Sequence, residues 1–153
     1  MITFTEDQIK TIKDNFERKG AAHQREKLVE ELSELLCEVC RHRVKKNRET
    51  QIIDEFADVL VVFKGFDMGL INARYIPEYD KIKECIDNVL QCLCGIENSY
   101  ISPFFTSQYE LAKISNFSIF RNNIEAVQKS VDFKVARLAK KQNYQVEPYE
   151  IIK

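Results

Sequence analysis

The sequence predicts an all-α helical bundle of about five to six helices. Apolar residues recur at three- and four-residue spacing over several long stretches, the period of a helix with one buried face. The 153 residues contain 4 Gly and 3 Pro, too few for the frequent turns of a β-sandwich. With 44% hydrophobic and 31% charged residues the chain has enough apolar surface for a core, and residues 1–153 read as a single domain.

Residues 5–18 read as a first helix, because Thr5 and Gln8 have capping-box spacing and Ile9, Ile12 and Phe16 form a stripe that Gly20 ends. Residues 23–43 form a second, on the stripe Leu28, Leu32, Leu35, Val39. KKNRET is short and polar and reads as a connector. Residues 50–68 form a third helix through Ile52, Phe56, Val59 and Phe63, with Gly65 and Gly69 loosening its end. Pro77 suits the first turn of the next helix, 78–97, which carries Ile82, Ile86, Val89, Leu93 and Ile96. Residues 98–117 read as a loop with a short helix, and 118–142 as one long basic helix through Ile124, Val127, Val131, Val135 and Leu138. The tail from Asn143 shows no clear period. Long amphipathic helices in a small chain seek partners, so completion as a homodimer or higher homo-oligomer is expected.

Net charge is −1, which gives no overall pull towards nucleic acid or an anionic membrane. No apolar run approaches a membrane span, and MITFTEDQIK lacks the pattern of a secretory signal, so a cytoplasmic location is the expectation. Five cysteines, an odd number, point to free thiols. Cys37 and Cys40 make a CxxC, but inside a helix and without the knuckle turn of zinc motifs, so buried free cysteine is expected there.

The chemistry gathers on two helices. Residues three apart on a helix share a face, so Glu31 and Glu34 point one way, as do Glu55 and Asp58. The two apolar stripes match position for position at an offset of 24, and the same offset carries Glu31 onto Glu55 and Glu34 onto Asp58. Each acidic pair therefore flanks its own stripe on the same side. A short connector makes the helices antiparallel neighbours, and the local two-fold between facing stripes brings both pairs out on one side of the hairpin. Measured from the connector the pairs lie roughly 14 Å and 10 Å along their helices, within about a turn of level. Four carboxylates beside an apolar seam repel each other and resist desolvation, which calls for a cation. Oxygen-only ligands favour Mg²⁺, Mn²⁺ or Ca²⁺ over zinc, and Mg²⁺ commonly completes its shell with water and phosphate, which points to a phosphorylated nucleotide. Either pair alone would be an ordinary solvated helix face, with Lys27 to Glu31 as an i,i+4 bridge.

At these residues the chain resembles the all-α nucleoside triphosphate pyrophosphohydrolases, the MazG-like and dimeric dUTPase/dCTPase group. Their signature is EExxE on one helix and ExxD on the next, here EELSE (Glu30 to Glu34) and DEFADVL (Asp54 to Leu60). HQREKLVEELSEL is similar to the family's Gln-x-x-Lys-x-x-Glu-Glu lead-in, and VDFKVARLAKK to the basic terminal helix of phage-type members. The resemblance covers about residues 20–70, with a weaker echo at 130–142; residues 72–125 read as an expanded segment. It implies a MazG-like bundle with Mg²⁺, or Mn²⁺, held by Glu31, Glu34, Glu55 and Asp58. It implies cleavage of a (d)NTP to (d)NMP and pyrophosphate. Glu34 is the first candidate to orient or deprotonate the attacking water and Glu38, one turn on, the second. Gln24 and Lys27 are candidates for base and phosphate contact by the same resemblance, and Asp67 and Asn72 for the acidic and amide residues that follow ExxD.

Lys134, Arg137 and Lys140 sit at i, i+3 and i+6, and reach the phosphates if their helix packs across the site, from this subunit or a partner. Arg41, Arg43, Lys45, Lys46 and Arg48 either steer a polyphosphate or complement the helix dipole at a solvated helix end. No interleaved aromatics support nucleic acid. The expected function is Mg²⁺-dependent nucleotide pyrophosphohydrolysis. The alternative is a non-catalytic helical module that binds a nucleotide or protein and retains the acidic hairpin.

Overall fold

The computed structural model describes residues 2–67, 79–97 and 110–152, and among these every regular element is helical. The elements are α1 (Glu6–Lys19), α2 (Ala21–Lys45), α3 (Glu49–Asp67), α4 (Tyr79–Glu97), α5 (Glu110–Ser115), α6 (Ser118–Arg121) and α7 (Ile124–Ile152). Pro77, Gly69 and Asn72, and most of the stretch expected as a loop, lie outside the described residues; so does the side chain of Asp67. Among the described residues no helix is long and apolar enough to cross a membrane.

The capping box forms as the spacing requires. The Thr5 hydroxyl accepts from the Gln8 backbone N–H, and the Gln8 side chain accepts from the Thr5 N–H. Gly20 closes α1 at φ 85°, a conformation that favours glycine. α2 and α3 form an antiparallel hairpin whose facing stripes are its seam: Leu28, Leu32, Leu35, Val39, Ile52, Phe56 and Val59 are all buried, while Phe63 is half-buried. The connector is pinned by Glu38, which accepts from Arg48 Nε at 2.7 Å and Nη2 at 3.0 Å and from Arg41 Nη1 at 2.8 Å. His42 Nδ1 accepts from the Arg48 backbone N–H at 3.1 Å. Lys46, between them, takes the left-handed conformation at φ 52° and donates its N–H to His42.

α4 packs on the other side of α2, α7 on α3, and α1 lies across α7, α3 and α2. Gly65 does not loosen α3. A Cβ there would come within 2.8 Å of Phe16 Cδ2, so the glycine allows α1 to approach, and Phe16 meets Phe66 edge-on at 5.0 Å. The stretch expected as one helix, 118–142, is broken. Asn123 turns its amide onto the Ile119 carbonyl at 2.7 Å and Glu49 at 3.0 Å, local competition of the kind that ends helices, so α6 stops at Arg121 and α7 starts at Ile124. Phe120 of α6 then packs on Phe56, ring centroids 4.1 Å apart. Beyond Asn143, where no period was read, α7 continues to Ile152.

Contacts from Asn123 to Glu49, Ser130 to Asp54 and Lys134 to Asp58 climb both chains together, so α7 runs parallel to α3. This parallel pairing brings the basic flank of α7 alongside the acidic flank of the hairpin.

Phe56→Ala removes a fully buried ring from the seam and should cost about 3–5 kcal/mol in denaturant unfolding, whereas Phe63→Ala should cost distinctly less. Lys46→Gly should stabilise the fold by about 0.5–1 kcal/mol by relieving the left-handed residue, and unchanged or lowered stability would contradict that account of the connector.

Candidate metal centre and cleft

The hairpin brings the predicted carboxylates together. One oxygen each from Glu31, Glu34 and Glu55 lies within 4.8 Å of the others, and the same holds for Asp54, Glu55 and Asp58. Glu31 is 5% exposed, Glu55 and Asp58 are half-buried, and Glu34 and Asp54 are exposed. Two oxygens, Glu31 Oε2 and Glu55 Oε2, are buried with no hydrogen-bond partner. Buried carboxylate oxygens are ordinarily paired, because an unpaired one forfeits its hydration.

The electrostatics follow from that crowding. Burial pushes the Glu31 carboxyl up to about 7, against the lowering hydrogen bond from Lys27, with Asp58 and Glu34 adding repulsion. Glu55 is also pushed up to about 7, by burial and then by the charges of Glu34 and Asp58. Burial raises Asp58 too, although Lys134 pulls it the other way.

Two ammonium groups partly balance the cluster. Lys27 Nζ is 3.0 Å from Glu31, the i,i+4 bridge that the spacing allows, and Lys134 Nζ is 3.0 Å from Asp58 and 3.2 Å from Asp54. Ser130 donates to Asp54 at 2.8 Å. Asp54 belongs to the cluster and the sequence reading missed it; its signal was its place four residues before Asp58, one turn along the same face.

The cluster opens onto a cleft of about 510 Å³ between α1, α2, α3 and α7. Gln24, Lys27, Lys134 and Arg137, expected as substrate contacts, all line it, and Gln24 is buried there. Lys140 is exposed and does not line the cleft, and Lys141 does. The α3 residues of the wall run from Asp54 to Gly65, about 16 Å at 1.5 Å per residue. Asp54, Asp58 and Lys134 stand together at one end, whereas Ile12 stands near Gly65 at the other, and Gln142 donates to the Thr11 carbonyl at 3.0 Å. Arg137 lies over the exposed ring of Phe133, 5.9 Å from its centroid.

Glu38 is not part of the cluster. The guanidinium of Arg48, and then Arg41, hold its carboxyl below the ordinary value, which makes it a poor proton acceptor. Arg41 and Arg48 thus serve the connector, and Arg43 packs against Gly95, where a Cβ would lie 3.1 Å from its guanidinium carbon. All five cysteines are free, as expected, but Cys37 and Cys40 are exposed rather than buried. Both lie on α2 faces away from the seam, and Cys40 Sγ sits 3.9 Å from Cys92 Sγ of α4.

Comparison with family models, curated proteins and solved structures found no match to this chain.

Glu31 and Glu55 are raised from 4.5 to about 7 in the folded protein, so folding favours their protonated forms. That stability is full below the unfolded value and lost as pH rises through about 7. In chelator, Glu55→Gln should melt with the wild type near pH 4.5 and several degrees above it at pH 8. Calorimetry showing no divergence with pH would remove the account of the cluster as an unbalanced charge.

Proposed function

We propose that this protein is a Mg²⁺-dependent nucleoside triphosphate pyrophosphohydrolase, converting a (d)NTP to a (d)NMP and pyrophosphate. The observation that carries the reading is the pair of buried, unpartnered oxygens on Glu31 and Glu55, within an all-oxygen cluster that opens onto a cleft lined with lysine and arginine. The resemblance of EELSE and DEFADVL to the family signature supports the same reading.

The donor set suits a hard divalent cation, Mg²⁺ or Mn²⁺: every candidate ligand is a carboxylate, and none is sulfur or imidazole. Glu31, Glu34, Glu55 and Asp58 would hold it, with Asp54 as a further ligand. When bound, such an ion neutralises phosphate charge and lends Lewis acidity to the reaction. The side chains do the rest. Lys27, Lys134, Arg137 and Lys141 line the cleft and bind the polyphosphate. Lys134, held by Asp54 and Asp58, would turn to phosphate oxygen if those carboxylates were engaged by a cation. Glu34, exposed at the edge of the cluster, orients the attacking water and accepts its proton. Glu38 leaves the list of bases because two guanidiniums occupy it. The length of the cleft suits a nucleoside triphosphate, with the base towards Gln24, Asn15 and Gln142. In this reading the protein works as a homo-oligomer in the cytoplasm.

A non-catalytic binding module is favoured by one observation: Lys27 and Lys134 already supply internal counter-charge to the cluster.

Pyrophosphate release from at least one common (d)NTP should depend on Mg²⁺ or Mn²⁺ and fall on the order of 100-fold or more in Glu55→Gln. A screen of all common (d)NTPs with both ions and no turnover by the pure protein would end the enzymatic reading. Metal-dependent stabilisation by a non-hydrolysable nucleotide without turnover would establish the binding module.

A further inference from the structure

The carboxylate cluster has two open sides, and they differ in charge. The cleft already described carries Lys19, Lys27, Lys134, Arg137 and Lys141 against Glu31, Asp54 and Asp58. A second cleft, of about 440 Å³, lies between the first turns of α3 and α7. It is lined by Glu49, Asp54 and Glu55 with neutral neighbours such as Thr50, Ala126 and Ser130, and among the described residues it has no lysine, arginine or histidine.

Asp54 lines both clefts and forms the partition between them, with Ser130 donating to it at 2.8 Å and Lys134 at 3.2 Å. Glu55, whose Oε2 is buried and unpartnered, lines only the second cleft; Glu31 and Asp58 line only the first. A divalent cation approaching through the first cleft meets five positive side chains, whereas through the second it meets only carboxylates and neutral groups. The second cleft also has room for a hydrated ion, since its volume equals that of roughly 15 waters at about 30 Å³ each.

We infer that the two clefts divide the traffic: the carboxylates take up a hydrated divalent cation from the second cleft, and the polyphosphate arrives through the first. This rests on the metal-dependent reading of the cluster. The ion then needs no bound nucleotide to enter, and a positive charge placed in the second cleft opposes its entry without touching the substrate's route.

Ala126 tests the division. It is exposed, lies on α7 in the wall of the second cleft, and belongs to neither the ligand set nor the phosphate contacts. The measurement is the rate of Mn²⁺ association with the metal-free protein, by stopped-flow mixing against a Mn²⁺-sensitive dye with no nucleotide present, together with nucleotide KM at saturating Mn²⁺. Ala126→Arg should slow Mn²⁺ association on the order of tenfold and leave KM unchanged, while Ala126→Gln, long but neutral, should take up Mn²⁺ at the wild-type rate. Arg137→Glu, in the first cleft, should raise KM without slowing Mn²⁺ association. A wild-type rate of Mn²⁺ association in Ala126→Arg, or a rise in its KM equal to that of Arg137→Glu, overturns the division while leaving the proposed reaction intact. Mn²⁺ bound by the wild type without turnover of any (d)NTP removes the reaction, and the association rates of the variants still decide the cation's route.

Discussion

Too much negative charge in too little space is the constraint on which the rest of this structure depends. Packing the apolar faces of α2 and α3 against each other requires Glu31 and Glu55 to come with them, because each acid flanks the stripe that the packing buries. The seam is worth more than the repulsion costs, since burying one large apolar side chain contributes roughly 1.5–3 kcal/mol and the seam holds seven. The molecule tolerates the cluster through two ammonium groups, Lys27 within α2 and Lys134 from α7, and through an open cleft beside it. A cation fits this arrangement because it supplies the charge that the fold leaves out.

The carboxylate convergence was legible in the sequence because it depends on local quantities only. Helix period, connector length and the common offset of 24 between the two stripes fix which side of the hairpin the acids leave by. The contribution of α7 was legible in type but not in detail. Lys134 and Arg137 could be named from their spacing, but their partners depend on α7 running parallel to α3, a tertiary fact with no local signature. Asp54 escapes the sequence reading because that reading pairs acids three residues apart and Asp54 stands four before Asp58; its role appears only when Ser130 and Lys134 meet it.

Other misreadings share that origin. Asn122 and Asn123 interrupt a run whose apolar period continues on either side, and periodicity alone has no way to see a side-chain amide competing for the Ile119 carbonyl. Gly65 was read for its backbone freedom, whereas its use is the missing Cβ beneath Phe16. Glu38 was read by its face on α2 and belongs to the connector, because Arg48 folds back from ten residues away to hold it with two hydrogen bonds. A titratable residue one turn from a site is as readily part of the scaffold as of the chemistry.

That bridge between Glu38 and Arg48 also bears on the order in which the molecule assembles. It closes a short loop, as do the contacts of the α2–α3 seam, whereas Lys134 must return across 76 residues to reach Asp58. Short loops close at lower entropic cost than long ones, which favours forming the hairpin with its acids before α7 docks. During that interval the nascent cluster lacks its ammonium from α7 and has only Lys27, on its own hairpin, beside it. The acids of the hairpin thus meet before the lysine of α7 that balances them arrives.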